Sequence, residues 1–252
     1  MSNAAPVVAI VGPTASGKSA LAMSIAQRLG AEVVNADAFC LYRGMDIGTA
    51  KPSLADRRMV VHHLIDTHDV EESVEVVGYR DQARAAIEAV RSRGRTPLLV
   101  GGSGLYVQAV LDDLRFPGTD PSVRQRLEGE LAQVGPEVLH GRLAAIDPAA
   151  AEAILPSNGR RIVRALEVNE ITGASFVATL GPAQPWTRSV RIGWDPGQEA
   201  VDRAIAARVD LMWRDGFVGE VESMRERLTR ARTASRAVGY RQILDALEAG
   251  DD

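Results

Sequence analysis

The chain opens on Val7-Val8-Ala9-Ile10-Val11, an unbroken apolar run whose length predicts a strand buried on both faces. Past a glycine-rich stretch, Leu21, Ala22, Ile25, Ala26 and Leu29 recur at helical spacing, and Gly30 closes that pattern. Residues 31–35 predict a second strand that runs into Ala36-Asp37, followed by a polar, turn-rich loop over 43–52. A short strand is expected over 61–65. Residues 73–93 read as a helix with Val76, Val77, Ala83, Ala86, Ile87 and Val90 on one face and Gly94 as its stop. Pro97-Leu98-Leu99-Val100 is a further apolar strand, entering Gly101-Gly102-Ser103-Gly104 and a helix from Leu105 to about Leu111. Strands that alternate with helices predict a parallel sheet with helices on both faces.

The pattern changes after Phe116-Pro117. From about 118 to 173 only the helical period persists, with Leu127, Leu131, Val134, Val138, Leu139, Leu143 and Ile146 as the expected packed positions. Pro121, Pro136, Pro148 and Pro156 mark helix starts or breaks. Residues 186–194 return to a strand, in which Val190 and Ile192 alternate with Arg191. Asp195-Pro196 then opens a long helical stretch with Ile205, Val209 and Met212 on one face, interrupted near Gly216 and resumed through Val221, Met224 and Leu228.

Composition narrows the classes. At 252 residues, 46% hydrophobic and 25% charged, the chain has the make-up of an ordinary globular protein. A net charge of −4 gives no global pull on nucleic acid, so any such contact must come from local basic surface. One cysteine, Cys40, excludes an intrachain disulfide and suits a reducing compartment. No apolar stretch approaches the roughly 18 residues of a membrane span, and no secretory signal precedes the first strand. A cytoplasmic protein without membrane attachment is expected.

Between the first strand and the first helix lies Gly12-Pro13-Thr14-Ala15-Ser16-Gly17-Lys18-Ser19, which fits the phosphate-loop spacing G-x-x-x-x-G-K-[ST] at each fixed position. A chance glycine-rich turn is the bland alternative. The flanking strand and helix favour function, because that order points backbone N–H groups and a helix N-terminus at one anion. Gly12 and Gly17 let the backbone wrap a di- or triphosphate, Lys18 brings a mobile charge, and the Ser19 hydroxyl is suited to a Mg²⁺ that bridges the phosphates. The expected fold is therefore α/β: a P-loop NTPase-like parallel sheet flanked by helices, built from 1–116 and 186–252, with an all-helical insertion domain over 117–185. Ligands of such sheets lie outside the carboxyl ends of the strands, which puts the phosphate loop, Asp37 and Ser103 in one crevice. Asp37 there can orient water on Mg²⁺, act as a general base, or cap a turn; its strand-end position favours the base or base-orienting role. The strand ending at Gly101-Gly102-Ser103 lacks the acidic residue that many nucleotide hydrolases use to hold Mg²⁺, which argues against a motor or switch.

The stretch 37–52, DAFCLYRGMDIGTAKP, resembles the signature of the tRNA dimethylallyltransferase (IPP transferase) family. Companion blocks at 12–19, 62–66, 101–106, 159–168 and 239–242 follow in the family order. The resemblance implies transfer of a dimethylallyl group from its diphosphate to N6 of the adenosine 3′ of the anticodon, with the phosphate loop holding the leaving diphosphate, Lys18, Ser19 and Mg²⁺ stabilising it, and Asp37 taking the N6 proton. The target base must leave the anticodon-loop stack to reach that site. By position, the resemblance further implies that Ala38, Phe39 and Cys40 line the site of the flipped nucleotide, that Ser103 and the arginines Arg160, Arg161 and Arg164 contact tRNA, and that Arg208 lies near the diphosphate. The bland alternative for Arg160, Arg161 and Arg164 is a solvated helix face; three within five positions favour phosphate contact. For the arginines between 225 and 241, with Glu220, Glu222 and Glu226 nearby, phosphate contact and ion pairing are both open. Expected partners are tRNA and dimethylallyl diphosphate, the expected cofactor Mg²⁺, and the expected form a monomer.

Several positions depart from the family pattern. Ala38 replaces a common Ser, Cys40 a common Gln, and Val61 a common Pro. His62 and His63 suggest metal, but neighbours in a strand point to opposite faces, so structural histidines are expected. Family members generally continue past the 239–242 block into a basic, aromatic helix that helps hold tRNA, so a chain ending at Asp252 is expected to keep the diphosphate site and to lose tRNA affinity. Two alternatives remain at this point: a small-molecule kinase of the nucleotide- or shikimate-kinase type, which would bind ATP, and a degenerate RNA-binding relative without turnover.

Overall fold

The computed structural model describes residues 5–114, 116–176 and 184–250. The chain divides into two compact units, Met1–Asp112 with Pro185–Asp252, and Asp113–Gln184. The sequence-expected insertion was 117–185.

The first unit is built on a five-stranded sheet of β1 (Val7–Val11), β2 (Glu32–Asn35), β3 (His62–His63), β4 (Pro97–Gly101) and β5 (Ser189–Gly193), in the order β3-β2-β4-β1-β5 with every pairing parallel. The apolar run of β1 lies between β4 and β5, with Val8 opposite Leu98 on one side and Val190 on the other. That central place explains why Val7, Ala9 and Ile10 are fully buried and why the run is continuous instead of alternating. Period-two alternation then sorts the faces. Val34 and Leu99 pack with Tyr79, Ala83 and Ile87 of α3 (Val76–Ser92) and with Val107, Val110 and Leu111 of α4 (Gly104–Leu111). Val33, Leu98 and Val100 pack with Ala22 and Ala26 of α1 (Lys18–Leu29). The parallel sheet with helices on both faces is borne out.

Two local differences have physical causes. The 61–65 strand is only two residues long, because Leu64 and Asp66 adopt φ of +60° and +56° and take the chain out of the sheet. A short helix not expected from the apolar pattern, α2 (Leu54–Met59), interrupts the polar loop and buries no residue. It is held by a reciprocal capping box between Ser53 and Asp56, an S-x-x-D signal carried by polar residues.

The regular elements described in the second unit are all helices: α5 (Pro121–Val134), α6 (Pro136–Ile146), α7 (Pro148–Ala153) and α8 (Gly159–Thr172). Three of the four begin with Pro in the first helical turn, where its missing N–H costs nothing. Leu127, Leu139, Leu143, Ile162 and Leu166 form its core, whereas Val134, Val138 and Ile146, expected inside, are exposed.

After β5 the chain continues in the first unit as α9 (Gln198–Arg214), α10 (Phe217–Ser223), α11 (Arg225–Arg230) and α12 (Tyr240–Ala249). Phe217, Val221, Met224, Leu228, Tyr240 and Leu244 close a third cluster over Tyr42 and Met45. The expected apolar face of α9 is only partly used: Met212 packs on this cluster while Ile205 and Val209 stay exposed.

Candidate active site

All five strands end on one side of the sheet, and the loops that leave them build the site. The turn after β1 needs both fixed glycines. Gly17 has φ +86°, and a Cβ on Gly12 would lie 2.3 Å from the Trp194 carbonyl oxygen. Ala15 also takes a left-handed φ, +61°, so the turn flips twice in three residues. Lys18 follows as the first residue of α1 and curls back, its Nζ donating to the Pro13 carbonyl at 3.0 Å.

A cavity of about 620 Å³ opens beside this loop. Thr14, Lys18, Ser19, Asp37, Ser103 and Arg208 line it together, with Ala38, Phe39 and Cys40 beyond Asp37. The structure therefore brings the phosphate-loop lysine, Arg208 of α9, the strand-end carboxylate and the β4 serine to one place. Burial lowers the Lys18 pKa below the ordinary lysine value; Asp37 opposes the shift and Arg208 adds to it. Burial lowers Arg208 as well, against the pull of Asp37 and Cys40. Two cations held partly desolvated and repelling each other make a well that an anion would relieve.

Asp37 is fixed from three sides. Its Oδ1 accepts the Phe39 N–H at 2.9 Å, its own N–H donates to Asn35 Oδ1 at 3.0 Å, and its carbonyl accepts from Asn35 Nδ2 at 2.9 Å. Asn35 is itself buried and donates onward to the Leu64 carbonyl at 2.9 Å. With Ala38 in place of a hydroxyl residue, the Phe39 amide supplies the carboxylate's orientation, which leaves Oδ2 as the free acceptor among the described contacts. Cys40 is buried, its thiol donating weakly to the Thr49 carbonyl at 3.8 Å, and burial pushes its pKa up to about 12. It stays a neutral thiol and lines the cavity as a small apolar group.

The far wall is the 46–52 loop. Lys51, with a side chain 1% exposed, donates to Asp46, Asp66 and the Tyr42 carbonyl at 2.6, 2.6 and 2.7 Å, so it is a strut and not a ligand group. The loop is pinned from outside by Glu220 of α10, whose carboxylate accepts the backbone N–H groups of Asp46, Ile47 and Gly48 at 2.9, 2.7 and 3.2 Å and the Tyr240 hydroxyl at 2.5 Å. At the rim, Val238 lines the cavity while 83% exposed, held between buried Ala237 and Tyr240.

His62 lines the cavity with Nδ1 bonded to the Val60 carbonyl at 2.8 Å, while His63 turns to Glu32 at 2.7 Å. The pair is divided as strand alternation requires, and no cluster of three or more His, Cys, Asp or Glu side chains fit to hold a metal occurs among the described residues. In the second unit, Arg160 and Arg161 are exposed on the first turn of α8. Arg164 differs from them: its guanidinium donates to the Pro117 and Gly118 carbonyls at 2.6 and 3.1 Å and to the fully buried Glu167 at 2.6 Å. Arg124 joins the same carboxylate. Among the later arginines, Arg227 pairs with Glu71 at 2.8 Å and Arg241 with Asp245 at 3.0 Å.

A family model described as IPP transferase matches residues 40–251 of this chain. The chain belongs to the IPP transferase family. Its similarity to proteins named tRNA dimethylallyltransferase is extensive: 58% identity with the one from Salinispora arenicola (strain CNS-205), over 96% of this chain and 71% of that protein, and 57% with the one from Kineococcus radiotolerans, over 96% and 79%. Among solved structures, the full-length tRNA isopentenylpyrophosphate transferase of Bacillus halodurans aligns with a TM-score of 0.66 at 39% identity, covering 97% of this chain and 78% of that one. A eukaryotic dimethylallyltransferase acting on tRNA shares the fold, with a TM-score of 0.75 at 22% identity, 98% of this chain and 67% of that one. Within an IPP transferase, the residues that pattern alone did not single out are Asn35, Trp194, Glu220 and Val238. The partners of Asn35, Trp194 and Glu220 lie far away in sequence or on the backbone, where periodicity carries no signal.

Proposed function

We propose that this chain transfers a dimethylallyl group from dimethylallyl diphosphate to N6 of the adenosine 3′ of the anticodon in tRNA, releasing diphosphate. The observation that carries the proposal is one cavity lined jointly by Lys18, Arg208, Ser103 and an oriented Asp37, in a member of the IPP transferase family. The allylic C–O bond breaks as the N6–C bond forms. The electron pair of the C–O bond leaves with diphosphate, which the phosphate loop, Lys18 and Arg208 hold. The N6 proton passes to the free oxygen of Asp37. Ala38, Phe39 and Cys40 receive the unstacked base, and Arg160 and Arg161 meet RNA phosphates. Lys51, Arg164 and the paired arginines of the C-terminal helices are structural.

Mg²⁺ fits the donor set. The Ser19 hydroxyl is exposed on the cavity wall beside Lys18, and a hard cation that shares substrate phosphates and keeps its waters needs no more than such a contact from the protein. When bound, it neutralises charge on the departing diphosphate. The chain works as a monomer in the cytoplasm.

Isotope-labelled dimethylallyl diphosphate and an anticodon stem-loop test the proposal directly. Label in the RNA with one diphosphate released per transfer is expected. ATP-dependent product from a small acceptor would establish a kinase instead, and stem-loop binding without diphosphate release a non-catalytic relative.

A further inference from the structure

Trp194 follows directly on β5 and touches the phosphate loop at both ends. Its backbone N–H donates to the Val11 carbonyl at 2.7 Å, which extends the β1–β5 ladder by one residue. Its own carbonyl lies against Gly12, where a Cβ would approach to 2.3 Å. Its indole Nε1–H reaches over the loop and donates to the Ser16 carbonyl at 2.6 Å, across 178 residues of sequence. The same nitrogen lies 3.9 Å from the Cβ position of Gly17.

The peptide unit that the indole holds is the critical one. In a trans peptide the C=O and N–H point in opposite directions, so a hydrogen bond that fixes the Ser16 carbonyl also fixes the direction of the Gly17 N–H. Ser16 is flanked by two left-handed residues, Ala15 at φ +61° and Gly17 at φ +86°, and among the described residues its only other backbone bond is a long one from its N–H to the Pro13 carbonyl, 3.4 Å. The Ser16 hydroxyl is buried without a partner among the described residues, so the side chain does not anchor the turn. A peptide free to flip here would turn an anion-repelling carbonyl toward the site in place of an N–H.

We propose that Trp194 is a positioning residue of the phosphate loop: its indole N–H ties the Ser16 carbonyl outward and thereby keeps the Gly17 N–H aimed at the bound diphosphate. The inference rests on the proposed diphosphate role of this loop. It assigns to the residue after β5 an indirect part in holding the leaving group, through the loop peptide that it orients, which the G-x-x-x-x-G-K-S motif does not contain.

Inorganic diphosphate with Mg²⁺ is the probe, titrated calorimetrically into the wild-type chain and into Trp194→Phe, which keeps an aromatic ring and deletes the donor. A rise in Kd of about 3–10-fold is expected, the size of one ordinary hydrogen bond, with anticodon stem-loop affinity and melting temperature nearly unchanged. In turnover, KM for dimethylallyl diphosphate rises and KM for RNA does not. Trp213→Phe, at an exposed indole on α9, serves as control and keeps wild-type affinity. A second readout needs no alteration of Trp194. The indole ¹⁵N–¹H resonance of Trp194, identified by elimination with Trp186→Phe and Trp213→Phe, shifts when diphosphate is added. Wild-type binding with unchanged affinity in Trp194→Phe, or an unmoved resonance, overturns the assignment alone. Failure of the wild-type chain to bind diphosphate overturns both this inference and the phosphate-loop proposal beneath it.

Discussion

At the scale of the residue, the site separates the handling of the leaving group from that of the acceptor. Asp37→Asn removes the proton acceptor but keeps the Phe39 contact available to its amide oxygen, so we expect turnover to fall by about 10²–10⁴-fold with modest change in substrate binding. Steady-state kinetics with separate Kd measurements check this, and near-normal kcat removes the base role. Lys18→Ala deletes a cation whose Nζ lies over the phosphate loop. We expect diphosphate affinity to fall by about 10–100-fold and stem-loop affinity to change far less, which filter binding and calorimetry separate. Asp37 and Lys18 were legible in the sequence because a strand-end carboxylate and a fixed motif need only local context. Asn35, which clamps Asp37 from within the strand, was not, because its three bonds run to backbone atoms that any residue carries.

Elements carry the next level of constraint. The 46–52 wall depends on a carboxylate 172 residues further along the chain, accepting three consecutive N–H groups. Glu220→Gln weakens these charge-assisted bonds and sets an amide against at least one donor. We expect a stability loss on the order of 1–3 kcal/mol by urea unfolding and a raised KM for RNA, with diphosphate affinity retained because the phosphate loop is untouched. Unchanged KM for RNA would show that the pin does not shape the acceptor side. In the helical unit, Arg164→Ala leaves buried Glu167 with Arg124 as its remaining cation, and we expect a cost on the order of 2 kcal/mol in the same assay, whereas Arg160→Ala costs almost nothing in stability. The helices and strands themselves were legible from periodicity. α2 was missed because its only signal is a polar capping box, and the outward turn of Ile205 and Val209 on α9 because period alone does not say whether a face finds a partner.

For the whole molecule, acid stability is set by carboxylates with folded-state values below their ordinary range. The hydrogen bond from Arg93 holds the Glu32 carboxyl below its ordinary 4.5, desolvation works against it, and a bond from His63 adds to it. A depressed folded value means stability that is present above about pH 4.5 and lost as pH falls through the lower folded value. We expect Glu32→Gln to be less stable than wild type at pH 7 and the two melting temperatures to converge as the pH drops toward 3. A constant difference across that range would contradict it. The parallel sheet and the helical character of the insertion were visible in the apolar pattern, as was the family in its ordered motifs, whereas the sheet order was not, since pattern gives strands and not their neighbours.

The placement of β5 has a further consequence for biosynthesis. β1 is made before the helical unit, yet the strand that covers one of its edges is residues 189–193, made after the whole of that unit. A nascent chain therefore carries an open, apolar β1 edge and an unfastened phosphate loop until β5 has followed the helical unit, which makes that edge the natural target of holding chaperones and of premature self-association.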